Sequence, residues 1–216
     1  GEGYVLPREE IFAKIDALVE VGGDAPKSCE LLMQGGLNPK LRLDYYEELL
    51  AAIRERYPMV HVHSLSATEI IYIAHLSRLP LEETVQRLRD AGLDSIPGAG
   101  AEILSDEVRD IIGFRKDRTE EWLEVHRIAH RLGMQTTATM MYGHVETVEQ
   151  RVEHLQRIRD LQDEAGRFTA FIAWNFQPDH TDLAADGSRW NGMKATGFDH
   201  LRTVAVARLF LDNIDN

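Results

Sequence analysis

Apolar residues recur at helical spacing across residues 7–21, where Ile11, Ile15, Leu18 and Val19 share one face. The pattern then shortens to an apolar run, Glu30-Leu31-Leu32-Met33, that breaks into Gln34-Gly35-Gly36. The same alternation continues to the end of the chain. Further helices are predicted over 44–56, 70–76, 80–91, 105–112, 119–132, 145–164 and 197–211. Strands are predicted over 30–33, 59–63, 93–96, 135–141 and 168–174. Gly22-Gly23, Gly92, Gly133 and Gly166 follow helical runs as stop signals. Asp44 with Glu47, and Ser66 with Glu69, read as capping boxes. Residues 179–195 are polar and contain glycine, and read as a loop.

Five strands, each followed by helix at βαβ spacing, imply parallel pairing with helices outside. No G-x-G-x-x-G follows any strand, which argues against a dinucleotide-binding sheet. The expected class is α/β, a partial (β/α)8 TIM-type barrel of about five parallel strands. One domain over 1–216 is expected, the central part of a barrel lacking its first and last strands.

Composition narrows the function. With 24 basic against 36 acidic residues, the formal charge is −12. No basic stripe offsets that charge, so nucleic acid is excluded as a partner. No apolar run approaches a membrane span, and no secretory signal opens the chain. The single cysteine, Cys29, permits no internal disulfide and fits a reducing compartment, so the cytoplasm is expected. Nothing beside Cys29 activates it, and it reads as an inert thiol.

In a parallel α/β protein, ligands sit where the strands end. The segments after the five strands are Gln34–Gly36, Ser64–Ser66, Pro97–Glu102, Tyr142–Glu146 and Trp174–Pro178, each glycine-rich, polar or aromatic. At Gln34-Gly35-Gly36 the turn is expected to leave backbone N–H groups bare. Ser66 and Glu69 suit either a helix cap or a ligand contact. Glu102 follows Gly-Ala-Gly-Ala, a setting in which a carboxylate can hold hydroxyls or amines. His144 and Glu146 suit either a site or the cap of the next helix. Trp174 reads as the wall of a pocket for a flat ligand. His61 and His63 share a strand face, fitting interior hydrogen bonds or metal ligation. His126 and His130 have zinc-like spacing but stand beside Trp122 in an outer helix, where surface or packing roles suit them better.

In combination these loops resemble a known family. Leu32-Met33-Gln34-Gly35-Gly36-Leu37-Asn38-Pro39, His61-Val62-His63-Ser64-Leu65-Ser66, Gly100-Ala101-Glu102-Ile103-Leu104, residues 137–147 and residues 171–178 are similar to the radical SAM enzymes of the futalosine route to menaquinone. Within that group Trp174 and Leu104 resemble the cyclases acting on dehypoxanthine futalosine more than the aminofutalosine synthases. The resemblance implies a [4Fe–4S] cluster, S-adenosylmethionine, and an electron donor of flavodoxin or ferredoxin type. It further implies a 5′-deoxyadenosyl radical that takes hydrogen from the substrate's ribose, after which the carbon radical closes a spirocycle. Gln34, Gly35, Gly36, Ser66 and Glu69 are then expected to bind cofactor, and Glu102, Tyr142, His144 and Trp174 to line the nucleoside substrate. The family's C-x3-C-x2-C loop, the source of three cluster thiolates, is expected upstream of Gly3-Tyr4-Val5-Leu6, and Cys29 matches none of its positions. By itself this stretch is therefore expected to be inactive, with catalysis residing in the intact protein. The alternatives are an aminofutalosine synthase and a non-catalytic nucleoside-binding barrel.

Overall fold

Glycine stops, caps and apolar spacing place the elements largely where they were predicted. The computed structural model describes residues 3–21, 29–113, 116–187, 189–190, 192 and 194–215. The stop at Gly22-Gly23 lies outside them. The strands are β1 (Glu30–Met33), β2 (His61–Ser64), β3 (Ser95–Ile96), β4 (Gln135–Tyr142) and β5 (Phe168–Asn175). The helices are α1 (Arg8–Val21), α2 (Leu43–Arg56), α3 (Ala67–Ser77), α4 (Leu81–Ala91), α5 (Asp106–Ile112), α6 (Thr119–Arg131), α7 (Val148–Ala165), α8 (Asp182–Asp186) and α9 (Gly197–Phe210). The α/β class holds, with five strands and helices between them among the described residues. The backbone groups into two compact units, Gly1–Pro97 and Gly98–Asn216.

In the first unit β1 lies parallel to β2, with Glu30 opposite His61 and Met33 opposite Ser64, and His63 of β2 stands opposite Ser95 of β3. Helices α2, α3 and α4 pack against one another and bury Ile53, Ile70, Val85 and Leu88. Each such side chain contributes about 1.5–3 kcal/mol when fully buried. Asp44 and Glu47 do not form the expected box. Helix α2 begins at Leu43, so Asp44 lies inside its first turn and the N-cap position falls to Arg42, whose side chain makes no cap; Glu47 is instead held by a bidentate pair to Arg87 of α4 at 2.8 and 2.7 Å.

In the second unit β4 and β5 run parallel, Thr137–Tyr142 opposite Ala170–Asn175. Helix α7 starts at Val148 rather than 145, since Thr147 and Gln150 form its capping box. The loop expected over 179–195 contains a short helix, α8, capped by Thr181. Its five residues carry too little periodicity to register in the sequence.

Candidate active site

Two loops of the first unit meet on one carboxylate. Ser66 caps α3, its Oγ accepting the Glu69 N–H at 3.3 Å, while Glu69 Oε2 accepts Ser66 N–H at 2.8 Å and Ser66 O–H at 2.7 Å. The other oxygen, Oε1, accepts the Gly35 N–H at 2.8 Å. The Gly35 N–H is thus not bare, as the Gly-Gly turn suggested; a carboxylate 34 residues away satisfies it. Neither Gly35 nor Gly36 has positive φ; the left-handed residue is Leu65, at φ 59°, whose N–H reaches Met33 O at 3.1 Å. Ser64 Oγ accepts the Met33 N–H at 3.1 Å and further ties the ends of β1 and β2.

Gln34, Gly35, Gly36 and Glu69 line a groove of about 750 Å³ with Tyr45 and Tyr46. Glu69 is 7% exposed, and the partners described for it are all neutral donors. A buried carboxylate satisfied only by neutral donors keeps its negative potential. Tyr46 registers that potential: burial first, then the Glu69 charge, push its hydroxyl up to about 12.

His61 and His63 converge on one hydroxyl. Ser95 Oγ stands 2.7 Å from His61 Nε2 and 2.6 Å from His63 Nδ1. Cys29 carries a free thiol, and its carbonyl accepts the His61 N–H at 3.0 Å. Among the described residues no group of three or more His, Cys, Asp or Glu is placed to hold a metal ion.

In the second unit, loop 98–104 is held through backbone groups of six of its seven residues. Gly98 donates to Thr137 Oγ1 at 3.0 Å, and its carbonyl accepts Thr139 O–H at 2.6 Å. Trp122 donates to Ala99 O, Arg109 to the carbonyls of Gly100 and Ala101, Met141 N–H to Glu102 O, and Leu104 N–H to His154 Nδ1. A Cβ on Gly98 would sit 2.6 Å from Thr137 O and 2.7 Å from Ala138 Cα, so only glycine fits. The buried Arg109 is itself fixed by Asp117 at 2.7 Å. Glu102, at the centre of this loop, is forced to φ 45°. That backbone costs a non-glycine residue about 1–3 kcal/mol. Its carboxylate lies 3.2 Å from Lys116 Nζ.

Tyr142 and His144 are interior groups, not open pocket walls. Tyr142 is buried in a cluster with Ile103, Val108 and Met140, and its hydroxyl is 2.9 Å from His200 Nδ1. His144 Nδ1 accepts the Val145 N–H at 2.8 Å, which leaves Nε2–H to donate to Met141 O at 2.9 Å. With Nδ1 so used, the 3.2 Å approach of Glu146 to it is not an ion pair. Glu146 accepts N–H groups from Gly143 and His144 and is bridged by Arg151 at 2.7 Å. Burial acts to raise the Glu146 carboxyl, but the Gly143 and His144 N–H donors and the Arg151 charge outweigh it and lower it. Trp174, on β5, is 39% exposed.

His126 and His130 are buried beside Trp122 and Phe168, with the Trp122 and His126 rings 3.9 Å apart. His130 Nε2 lies 2.8 Å from Thr136 Oγ1. Their spacing reflects ring packing. Arg109, Asp117, Ser95 and His154 were not foreseen: a charged or polar residue in a mixed segment carries no signal that it is buried.

Residues 1–158 match the family model described as Radical SAM superfamily. The chain belongs to this superfamily. It is 46% identical over 215 residues to a cyclic dehypoxanthine futalosine synthase of Halalkalibacterium halodurans, covering 100% of this chain and 55% of that protein. It is 40% identical over 213 residues to a protein of the same name from Streptomyces coelicolor, covering 99% and 51%. It is 47% identical over 190 residues to an aminodeoxyfutalosine synthase of Thermus thermophilus, covering 87% and 50%. The chain thus spans about half the length of the curated relatives it matches. Radical SAM membership implies a [4Fe–4S] cluster and S-adenosylmethionine. The described residues do not fit the cluster, since thiolates hold such clusters and Cys29 is the one cysteine of the chain. The groove does fit an α-amino acid with a cationic amine, because Glu69 offers it a buried carboxylate with no cationic partner among the described residues.

Proposed function

We propose that the intact protein is a radical SAM cyclase that converts dehypoxanthine futalosine to its cyclic spiro product in menaquinone biosynthesis. The observation that carries the cofactor half of this reading is Glu69, which joins the Gln34–Gly36 loop to the α3 cap and directs its charge into the groove. In this reading the carboxylate receives the methionyl ammonium, Gln34 and Gly36 orient the amino-acid end, and Ser66 holds Glu69 in position. S-adenosylmethionine brings radical chemistry to the superfamily; these residues bind and orient it. On the substrate side we assign contact to Glu102 and Trp174, and a shaping role to Tyr142 and His144. Loop 98–104 supports that assignment by presenting Glu102 on a backbone with little freedom to move. Among the described residues no helix is long and apolar enough to cross a membrane. We place the enzyme in the cytoplasm with a flavodoxin- or ferredoxin-type electron donor.

The similarity to the Thermus synthase supports a second reading, an aminofutalosine synthase. The deciding experiment incubates the intact protein, reconstituted with iron and sulfide, with S-adenosylmethionine, a reductant and either dehypoxanthine futalosine or an enolpyruvyl benzoate. Consumption of the first, with a spirocyclic product by mass spectrometry, is expected. Consumption of the second alone replaces the cyclase with the synthase, and nucleoside binding without turnover of either leaves a binding protein.

A further inference from the structure

The two histidines of β2 and the serine of β3 form more than a structural contact. A hydroxyl has one proton, so Ser95 can donate to only one of the two imidazoles it touches and must accept from the other. The chain His61–Ser95–His63 therefore has two possible polarities, and something must select between them. Asp94 is placed to do so. Its Oδ2 is held by Arg54 Nη2 at 2.5 Å and Val62 N–H at 2.7 Å, and lies 3.9 Å from His61 Nδ1. At that distance there is no hydrogen bond, but the carboxylate still favours a proton on His61 Nδ1 over a lone pair.

The consequences propagate. With Nδ1–H on His61, its Nε2 is a lone pair and accepts the Ser95 O–H. The Ser95 oxygen then accepts Nδ1–H of His63, and His63 Nε2 is left as an unprotonated base. No described residue hydrogen-bonds that atom. His63 is 8% exposed, whereas the His61 side chain is 45% exposed, so the chain connects an interior imidazole to a solvated one.

We infer that His63, Ser95 and His61 form a proton relay whose entry atom is His63 Nε2 and whose exit is His61 Nδ1. A proton arriving at His63 Nε2 displaces the Nδ1 proton to Ser95 Oγ. Ser95 passes its own hydroxyl proton to His61 Nε2, and His61 releases its Nδ1 proton to water. One proton enters and one leaves; both rings end as Nε2–H, and the reverse transfer, with water taking the proton from His63 Nε2, restores the resting tautomers. The charged groups bearing on the relay are Glu30 of β1, which favours a proton on His63, and the Asp94–Arg54 pair beside His61. Burial, the larger influence, lowers the His63 pKa and keeps the resting ring neutral. The relay stands independently of which nucleoside the protein acts on.

Nitrogen-15 NMR of the histidine-labelled protein, assigned through bonds near neutral pH, tests it. Both His61 and His63 are expected to carry Nδ1–H, the opposite of the tautomer that a free histidine side chain prefers in water. Nε2–H on His63 in the wild-type protein overturns the assignment without any variant being needed. Ser95→Ala is expected to return His63 towards Nε2–H and to slow its proton exchange with solvent at least tenfold, read from line shapes across the titration. Ser95→Thr, which keeps the hydroxyl, is expected to preserve both. An unchanged His63 tautomer or exchange rate in Ser95→Ala removes the relay.

Discussion

Glu69 shows how much one side chain can decide. Its two oxygens cap a helix and hold the Gly35 N–H, and its charge remains available to the groove. Glu69→Gln keeps the shape and removes the charge. A charge-assisted hydrogen bond is worth about 1.5–3 kcal/mol, so S-adenosylmethionine is expected to bind the variant at least tenfold more weakly by calorimetry. An unchanged affinity would remove Glu69 from the cofactor site. Glu102 presents the opposite balance, a residue kept in spite of its backbone. Glu102→Gly relieves the φ 45° conformation and is expected to raise unfolding stability by about 1 kcal/mol. Substrate KM should rise in the same variant, and a gain in stability without any kinetic penalty would deny the carboxylate a role. Both residues were legible as candidates because they follow strands, Glu69 in a capping box with Ser66 and Glu102 after Gly-Ala-Gly-Ala. Their difference was not legible, since a sequence carries no φ angle and no distance to a partner.

Among the elements, the turns set the geometry. Loop 98–104 owes its rigidity to partners from α5, α6, β4 and α7 rather than to its own Gly-Ala content. Gly98→Ala would drive a methyl carbon into the backbone of β4. A loss of about 2 kcal/mol or more is expected in urea unfolding, whereas Gly36→Ala, with nothing within 4 Å of its Cβ, should leave stability nearly unchanged. Equal effects at the two sites would contradict the packing described. Helix α7 illustrates a related limit of pattern reading. Val145 and Glu146 continue its periodicity, yet Thr147 takes the cap because Glu146 is committed to the N–H groups of Gly143 and His144. A side chain with two uses is assigned by geometry, not by spacing.

For the molecule as a whole, buried histidines set the acid limit of stability. Burial lowers His154 to about 3 and His130 to about 4, each from 6.5. Between those values the unfolded chain binds more protons than the folded one, so stability is full above 6.5 and falls as pH drops towards 4 and then 3. At pH 5 each histidine is expected to remove on the order of 2 kcal/mol relative to neutral pH. Urea unfolding at pH 7 and pH 5 measures the loss. His154→Asn, whose side-chain oxygen can accept the Leu104 N–H in place of Nδ1, should flatten that pH dependence. A pH slope as steep as wild type would exclude His154 as its source. What the sequence alone determined was the α/β class, the strands and major helices, and the loops that carry the family resemblance. Each depends on short-range periodicity, on glycine stops or on a contiguous motif. The tertiary structure decided which polar atoms are already satisfied. Gly35 was not bare, Tyr142 and His144 were turned inward, and Ser95 joined two histidines from a neighbouring strand. The outcomes at Gly35, Tyr142 and Ser95 depend on partners tens of residues apart, which only the folded chain brings within hydrogen-bond distance.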